Sequence, residues 1–210
     1  MSPHGPTPES GDVVLLLTVL LSAALTDNIL LTRFLGMCPF LSVSRQMKAA
    51  VGLGLAVVFV TTCTSAINAA LRWYVLQPLA AHYAVPVSLQ LILFIVVIAA
   101  FVQLMEMLIE RMSLALYQSL GIFLPLITVN CAILGASLFL VNQRFGVVAG
   151  TVFGFGSGLG WMLAIVLLAG VREKLKNARV PPALEGPGIA LIITGIMALA
   201  FVVFTGMIQL

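Results

Sequence analysis

The chain has 210 residues, of which 61% are hydrophobic and 8% are charged, and its formal net charge is +3. Soluble domains average about 45–50% apolar and about 25% charged residues, so this chain has too few charges to cover a surface exposed to water. The composition excludes an ordinary soluble domain and a disordered chain, and it predicts an all-α integral membrane protein. At about 20 residues per span, the length allows six or seven membrane helices and no separate soluble domain.

The N-terminal leader, Met1–Asp12, contains three prolines and neither Lys nor Arg. We expect it to be extended and disordered, and we expect no cleaved secretory signal because the apolar run that follows is too long for one. Residues 13–210 are predicted to form a single six-helix membrane domain. The three cysteines cannot all pair, and none is predicted in an extracellular loop, so no disulfide framework is expected.

Six apolar segments follow the leader, and each is long enough to cross a bilayer core of about 30 Å as a helix at about 1.5 Å per residue. Backbone groups in lipid must bond within their own segment, which predicts helices. Alternating stretches of about 10 residues, typical of membrane barrels, do not occur. The segments are roughly Val13–Phe34, Met47–Leu71, Ser88–Ile109, Leu120–Val141, Gly146–Gly170 and Gly188–Met207.

The distribution of Lys and Arg predicts the orientation of these helices. Eight of the ten lie after helices 1, 3 and 5, whereas Arg72 and Arg144 lie on the opposite side. The positive-inside rule places the side with eight in the cytoplasm. Both termini are therefore predicted to face the periplasm of a bacterial inner membrane. The eight are Arg33, Arg45, Lys48, Arg111, Arg172, Lys174, Lys176 and Arg179.

Helices 1 and 4 are each interrupted by helix-breaking residues next to a cysteine. Cys38 lies between Gly36 and Pro39, and Cys131 lies between Pro125 and Gly135. The chain thus divides into half-repeats of about 13–110 and 113–208. Three helices per half is an odd number, so the halves insert with opposite topology. This pattern predicts a 3+3 inverted repeat whose functional site lies where the broken helices meet near the bilayer midplane.

The two cysteines at the breaks are the first candidates for chemistry. Unwound backbone at membrane depth is tolerated only where it is buried in protein or lines a cavity, and thiolates there suit a soft metal or an iron–sulfur cluster. Cys38 and Cys131 do not complete a four-sulfur site, so a second chain would supply two more ligands. The alternative is that both pack as small hydrophobic residues. Cys63 lies in mid-helix with no breaker nearby, and we interpret it as packing.

Acidic residues within the membrane spans are candidates for function by default. Asp27, which lies with Asn28 near the break in helix 1, is expected to bond freed backbone amides, and Glu106 is expected to pair with a cytoplasmic arginine. We favour these structural roles over ion handling for both residues. The alternating glycines of Gly154–Gly160 follow no strand, which excludes a nucleotide-binding loop. They favour close helix packing.

Five segments of the sequence resemble a known family of membrane subunits. This family occurs in the sodium-translocating NADH:quinone oxidoreductase, where its member is NqrE, and in the Rnf ferredoxin:NAD oxidoreductase, where its member is RnfA. The resemblance covers nearly the whole chain after the leader. The segments that carry it most specifically are Leu35–Cys38, Gly121–Ala132, Gly154–Trp161, Ala169–Lys174 and Val180–Pro182.

The resemblance implies a [2Fe–2S] cluster held between this chain and a paralogous partner, which is NqrD in the quinone reductase or RnfE in Rnf. By motif, the ligands from this chain are Cys38 and Cys131. The cluster relays electrons across the inner membrane to covalently bound flavins on other members of a six-subunit complex, and it supports coupled ion transport. The chain is thus part of an ion-translocating enzyme but carries no complete active site, and it has no nucleic-acid partner.

The segments do not all resemble the same member of the family. Cys38-Pro39-Phe40 is closer to the Rnf protein, whereas Thr128–Cys131 and Trp161–Ala164 are closer to the quinone-reductase protein. We favour the quinone reductase, with Rnf as the alternative. Two rival hypotheses from other classes are a secondary transporter that uses the broken helices as a substrate site and a scaffold that only packs. Both rivals would contain no iron.

Overall fold

The computed structural model describes residues 13–78, 87–112, 124–176 and 186–205. All regular secondary structure in these ranges is helical, and the leader lies outside them. The π-helical turns Ser22–Thr26 and Arg72–Leu76 extend the first and third helices. The α-helices are α1 Val13–Leu21, α2 Met37–Val43, α3 Met47–Leu71, α4 Val87–Met112, α5 Leu124–Thr128, α6 Cys131–Asn142, α7 Val147–Leu175 and α8 Pro187–Thr205.

Three of the described helical segments are long and apolar enough to cross a membrane, namely Met47–Leu76, Leu89–Met107 and Val147–Leu175. Shorter apolar helices cover Val13–Thr26, Leu126–Asn142 and Pro187–Val203. These six segments coincide with the six predicted from the sequence, so the all-α membrane class is confirmed. The inverted relation of the two halves stays a prediction.

The first and fourth predicted spans are interrupted, as the helix-breaking residues indicate. Helical structure stops at Thr26 and resumes at Met37, and it stops again at Thr128 and resumes at Cys131. Residues 27–36 form turns, whereas the second interruption consists of Val129 and Asn130 alone. Each interruption therefore leaves a cysteine in the first turn of the helix that follows it.

The centre of the fold is an antiparallel pair of long helices, α3 and α7. Near the start of α7, a Cβ atom on Gly150 would lie 3.3 Å from Cβ of Ala69, near the end of α3. Further along α7, a Cβ atom on Gly158 would lie 2.8 Å from Cα of Val58. The backbones approach this closely because the α7 residues at the contact have no side chain.

The alternating glycines of α7 face two different neighbours. Gly158 faces α3, whereas a Cβ atom on Gly160 would lie 2.6 Å from the carbonyl oxygen of Ala24 in the π-helical turn after α1. Gly156 faces the same part of the chain, with a Cβ position 2.8 Å from the carbonyl oxygen of Leu20. Glycine recurs at every second position because α7 packs closely against two neighbours at once, and each neighbour needs small residues on its own side of the helix. The packing interpretation of this segment is confirmed.

Arg33 does not lie where the charge pattern predicts. Its guanidinium carbon is 4.7 Å from the ring centroid of Phe139 on α6. Nη1 of Arg72, on the predicted outer side, donates to the carbonyl oxygen of Leu140, the next residue of α6, at 3.5 Å. Arg33 therefore lies at the same end of α6 as Arg72, because the turns after Thr26 replace a continuing helix. With Arg33 moved, seven Lys and Arg residues lie on the predicted cytoplasmic side and three on the outer side. The predicted orientation is therefore unchanged.

Candidate functional site

Asn28 organises the first break. Its Oδ1 accepts hydrogen bonds from the backbone N–H groups of Leu30, at 3.1 Å, and Leu31, at 3.3 Å. Its Nδ2 donates to the carbonyl oxygens of Gly160, at 2.8 Å, and Ala24, at 3.1 Å. The side chain is fully buried. It thus satisfies backbone groups that the interrupted helix leaves free, and it ties the break to α7.

Asp27 does not take the role that the sequence predicts for it. The freed amides are bonded by its neighbour Asn28, whereas Oδ1 of Asp27 forms an ion pair with Nη2 of Arg33 at 3.4 Å. Both side chains of this pair are about half exposed, at 46% and 48%. An amide can both donate and accept hydrogen bonds, whereas a carboxylate only accepts. Asn28 is therefore the better residue for a break that needs both a hydrogen-bond donor and an acceptor.

Replacing Asp27 by Asn is expected to lower the free energy of unfolding by less than about 1 kcal/mol, because exposed ion pairs contribute little. Replacing Asn28 by Ala is expected to cost about 2–3 kcal/mol, because it leaves several buried backbone groups unpaired. Thermal unfolding of the detergent-solubilised complex measures both. An Asp27→Asn loss equal to that of Asn28→Ala would contradict these assignments.

Asn130 organises the second break. Its Oδ1 accepts a hydrogen bond from the backbone N–H of Ala132 at 3.0 Å, which caps the N-terminus of α6. Cys131 is therefore the first residue of α6, and its side chain is exposed. Val129 beside it is 78% exposed. The cap thus places a thiol at the surface, at the N-terminus of a helix.

The two breaks meet at Gly36. The backbone N–H of Gly36 donates to Sγ of Cys131, with an N–S distance of 2.9 Å. The φ angle of Gly36 is +82°, and a Cβ atom there would lie 2.5 Å from Nε1 of Trp161 and 2.9 Å from Oδ1 of Asn130. Only glycine fits this position. Cys38 follows two residues later and is also exposed, so the fold brings both cysteine-bearing breaks together.

Phe34 marks local backbone strain beside this junction. Its φ angle is +55°, which is rare for a bulky residue, and its side chain is 52% exposed. The sequence interpretation missed Phe34, and it also missed Asn130 and Trp161. The sequence does contain a pattern that indicates Asn130, because each interrupted span has an asparagine at its break, Asn28 in the first and Asn130 in the second.

The other candidate residues lie apart from this junction. Cys63 is partly buried within α3, in keeping with a packing role. Glu106 is partly exposed on α4 and forms no ion pair with any residue in the described ranges, so the expected pairing with an arginine is not found there. Arg172 instead donates to the carbonyl oxygen of Leu41, at 2.9 Å, and to Oγ of Ser44, at 2.7 Å.

Cys38 and Cys131 can supply two of the four sulfur ligands of an iron–sulfur site. No group of three or more His, Cys, Asp or Glu side chains within the described part of the chain is arranged to hold a metal ion. Cys38 and Cys131 are exposed on adjoining segments, so sulfur atoms from a second chain can approach both. The N–H of Gly36 supplies a hydrogen bond to one of the two sulfurs, which is a recurrent way of tuning iron–sulfur sites.

Comparison with known proteins gives the family. A profile described as "Rnf-Nqr subunit, membrane protein" matches residues 16–208. The chain belongs to the Rnf-Nqr family. The resemblance seen in the cysteine segments is thereby confirmed.

Relatives of this Rnf-Nqr protein come from more than one kind of ion-translocating oxidoreductase complex. It is 48% identical to a component of the Na(+)-translocating ferredoxin:NAD(+) oxidoreductase complex of Acetobacterium woodii, over 91% of this chain and 97% of the relative. It is 50% identical to a component of the Na(+)-translocating NADH-quinone reductase of Marinobacter nauticus, over 90% and 96%. It is 48% identical to a component of an ion-translocating oxidoreductase complex of Syntrophotalea carbinolica, over 92% and 97%. These identities are nearly equal and do not separate the two complexes.

Proposed function

We propose that this Rnf-Nqr protein shares a [2Fe–2S] cluster with a paralogous partner, NqrD or RnfE, and relays electrons across the bacterial inner membrane. The coarser role follows from the family, whose members are membrane components of oxidoreductase complexes that translocate ions. The observation that carries the finer role is the bond from Gly36 N–H to Cys131 Sγ. It joins two separate breaks, each with an exposed cysteine, and a packing role would not require exposed thiols.

The residues of this chain have distinct parts in the proposed role. Cys38 and Cys131 supply two thiolates, and two cysteines of the paralogous partner complete the site. Asn28 and Asn130 hold the two breaks in shape, and Gly36 lets them approach. A cluster held by these residues would supply one-electron transfer, and flavins on other members of the complex would exchange electrons with it. A secondary transporter would not require a cysteine at both breaks.

The parent complex is proposed to be the quinone reductase, with Rnf as the alternative. The closer match of Thr128–Cys131 and Trp161–Ala164 to the quinone-reductase pattern supports this choice. Purification of the complex through a tag on this chain tests it. Turnover of NADH with a quinone is expected, whereas turnover of ferredoxin with NAD⁺ would establish the Rnf alternative.

Quantitative iron analysis of the same preparation tests the cluster. We expect two iron atoms per complex beyond those that the other iron–sulfur proteins of the preparation bind. We also expect a [2Fe–2S] paramagnetic resonance signal after anaerobic reduction. An iron content fully accounted for by the other proteins would refute the proposal and favour a transporter or a scaffold.

The charge bias predicts that both termini of the chain face the periplasm. A reporter enzyme that is active only in the periplasm should work when fused after Leu210 and fail when fused after Lys176. A cytoplasmic reporter should give the opposite pattern and serves as the control. Periplasmic activity at Lys176 would reverse the orientation.

A further inference from the structure

Cys38 lies in the first turn of α2, a helix of seven residues, whereas Cys131 begins α6, which has 12 residues. A helix as short as α2 is not stable by itself and depends on tertiary contacts. The side chains of Phe40 and Val43 are buried and hold one side of α2 in the core. At its N-terminus, Gly36 provides no side-chain cap. The position of the Cys38 sulfur therefore depends on what holds the other end of α2.

Arg172 holds the C-terminal end of α2. Its Nη1 donates to the carbonyl oxygen of Leu41 at 2.9 Å and to Oγ of Ser44 at 2.7 Å. The last four carbonyl groups of a helix have no partner within that helix, and the helix dipole favours a cation at this end. Ser44 follows the last residue of α2 and is fully buried. The guanidinium group thus bonds a free carbonyl oxygen and a buried hydroxyl group at the same helix end.

The side chain of Arg172 also reaches a third part of the fold. Arg172 lies near the end of α7, and its Nη2 donates at 3.3 Å to the carbonyl oxygen of Gly186, which directly precedes α8. It forms no ion pair with an acidic residue in the described ranges. A guanidinium group presents five N–H donors in a planar fork. A single arginine can therefore link α2, α7 and the start of α8, whereas the compact ammonium group of a lysine cannot.

α2 transmits the position of its C-terminal end to Cys38. Leu41 lies about one helical turn after Cys38. Oγ of Ser42 donates to the carbonyl oxygen of Cys38 at 3.0 Å and to that of Pro39 at 3.3 Å, which bonds the second turn of α2 to the first. α2 is therefore expected to move as a unit, and a displacement of Leu41 displaces the sulfur of Cys38 relative to Cys131.

We propose that Arg172 is a positioning residue for Cys38, because it fixes α2 against α7 and α8 so that the thiolates of Cys38 and Cys131 can bind one cluster. The inference rests on the proposed shared cluster and adds the residue that places one of its ligands. Arg172 donates to backbone and hydroxyl oxygens and to neither sulfur, so its effect is exerted through α2.

Hydrogen exchange in the whole complex tests whether Arg172 holds α2. Arg172→Gln is expected to speed exchange of the α2 amides about tenfold, because two short hydrogen bonds from a charged group are lost. Arg172→Lys keeps the charge but not the fork and should speed it about threefold. The amides in the first turn of α6 should be unaffected in both variants. Equal acceleration in α2, α6 and α7 would show a general loss of stability and would overturn the proposal.

The reduced-state resonance spectrum of the complex tests the consequence for the ligand. Arg172→Gln is expected to broaden the cluster signal and to speed loss of iron to a chelator about tenfold, with partial rescue in Arg172→Lys. Ser44→Ala removes one acceptor and leaves Arg172 in place. It should speed α2 exchange and iron loss about threefold each, so the proposal stays testable if Arg172→Gln does not assemble. Glu173→Gln is the matched control, because Glu173 is exposed and adjacent in sequence, and it should change neither quantity.

The outcomes separate the role of Arg172 from the proposed function. A normal spectrum and normal iron loss in Arg172→Gln, despite faster exchange in α2, would show that Arg172 stabilises the helix without positioning the ligand. This result would refute the positioning role and leave the cluster in place. Absence of the resonance signal from the unaltered complex would refute the proposed function, and the positioning role with it.

Discussion

Replacement of Cys131 or Cys38 by serine is expected to abolish the resonance signal of the proposed cluster. A hydroxyl group is a much poorer ligand than a thiolate for this soft site. Electron flow through the complex should fall by about 100-fold or more, because even residues outside a metal's ligand set change activity by about 10–100-fold. Reduction of the flavin on the donor side should survive, since the proposed role leaves that step to another protein of the complex.

Cys63→Ser is the matched control for these variants. Cys63 lies within α3 and far in sequence from both breaks, so its replacement should leave iron content and turnover unchanged, with at most a small packing cost. Iron per complex and the reduced-state spectrum are measured for all three variants. Full iron together with normal turnover in Cys38→Ser or Cys131→Ser would remove the case for this chain as a cluster-bearing protein.

Replacement of Gly36 by alanine is expected to separate the two breaks. The left-handed backbone of Gly36 costs an alanine about 1–2 kcal/mol. Overpacking of the new methyl group against Trp161 and Asn130 adds about 1–3 kcal/mol. The shift that relieves this overlap would also lengthen the hydrogen bond to Cys131. We therefore expect a lower unfolding temperature of the complex and partial loss of the cluster signal.

Gly186→Ala separates backbone strain from steric overlap. Gly186 also has a positive φ angle, of +97°, but a Cβ atom there would meet no atom of the described residues within 4 Å. This variant should therefore lose only the strain contribution of about 1–2 kcal/mol and should retain the full cluster signal. If Gly36→Ala behaves like Gly186→Ala in both measurements, the contact between the breaks has no role in the site.

The positions of the two breaks follow from the sequence, whereas the roles of their polar residues follow from it only in part. Gly36 and Pro39 on one side, and Pro125 and Gly135 on the other, identify the segments because helix breakers act locally. The residues that stabilise each break are harder to recognise. Asn28 reaches Gly160, which is 132 positions away, and no local pattern reveals a partner that distant. Asp27 is the charged residue at the first break, although its neighbour Asn28 forms the hydrogen bonds to the backbone.

The membrane class, the six apolar segments and the interruptions were determined by the sequence alone. Hydropathy, helix propensity and the conformational limits of glycine and proline act over a few residues, so they can be read directly from the chain. The two-faced use of the α7 glycines, the position of Arg33 over Phe139 and the contact of Gly36 with Cys131 were decided only by the tertiary structure. Each depends on which helices pack together and at what register, and that outcome is set by the summed packing of the whole bundle rather than by any one segment.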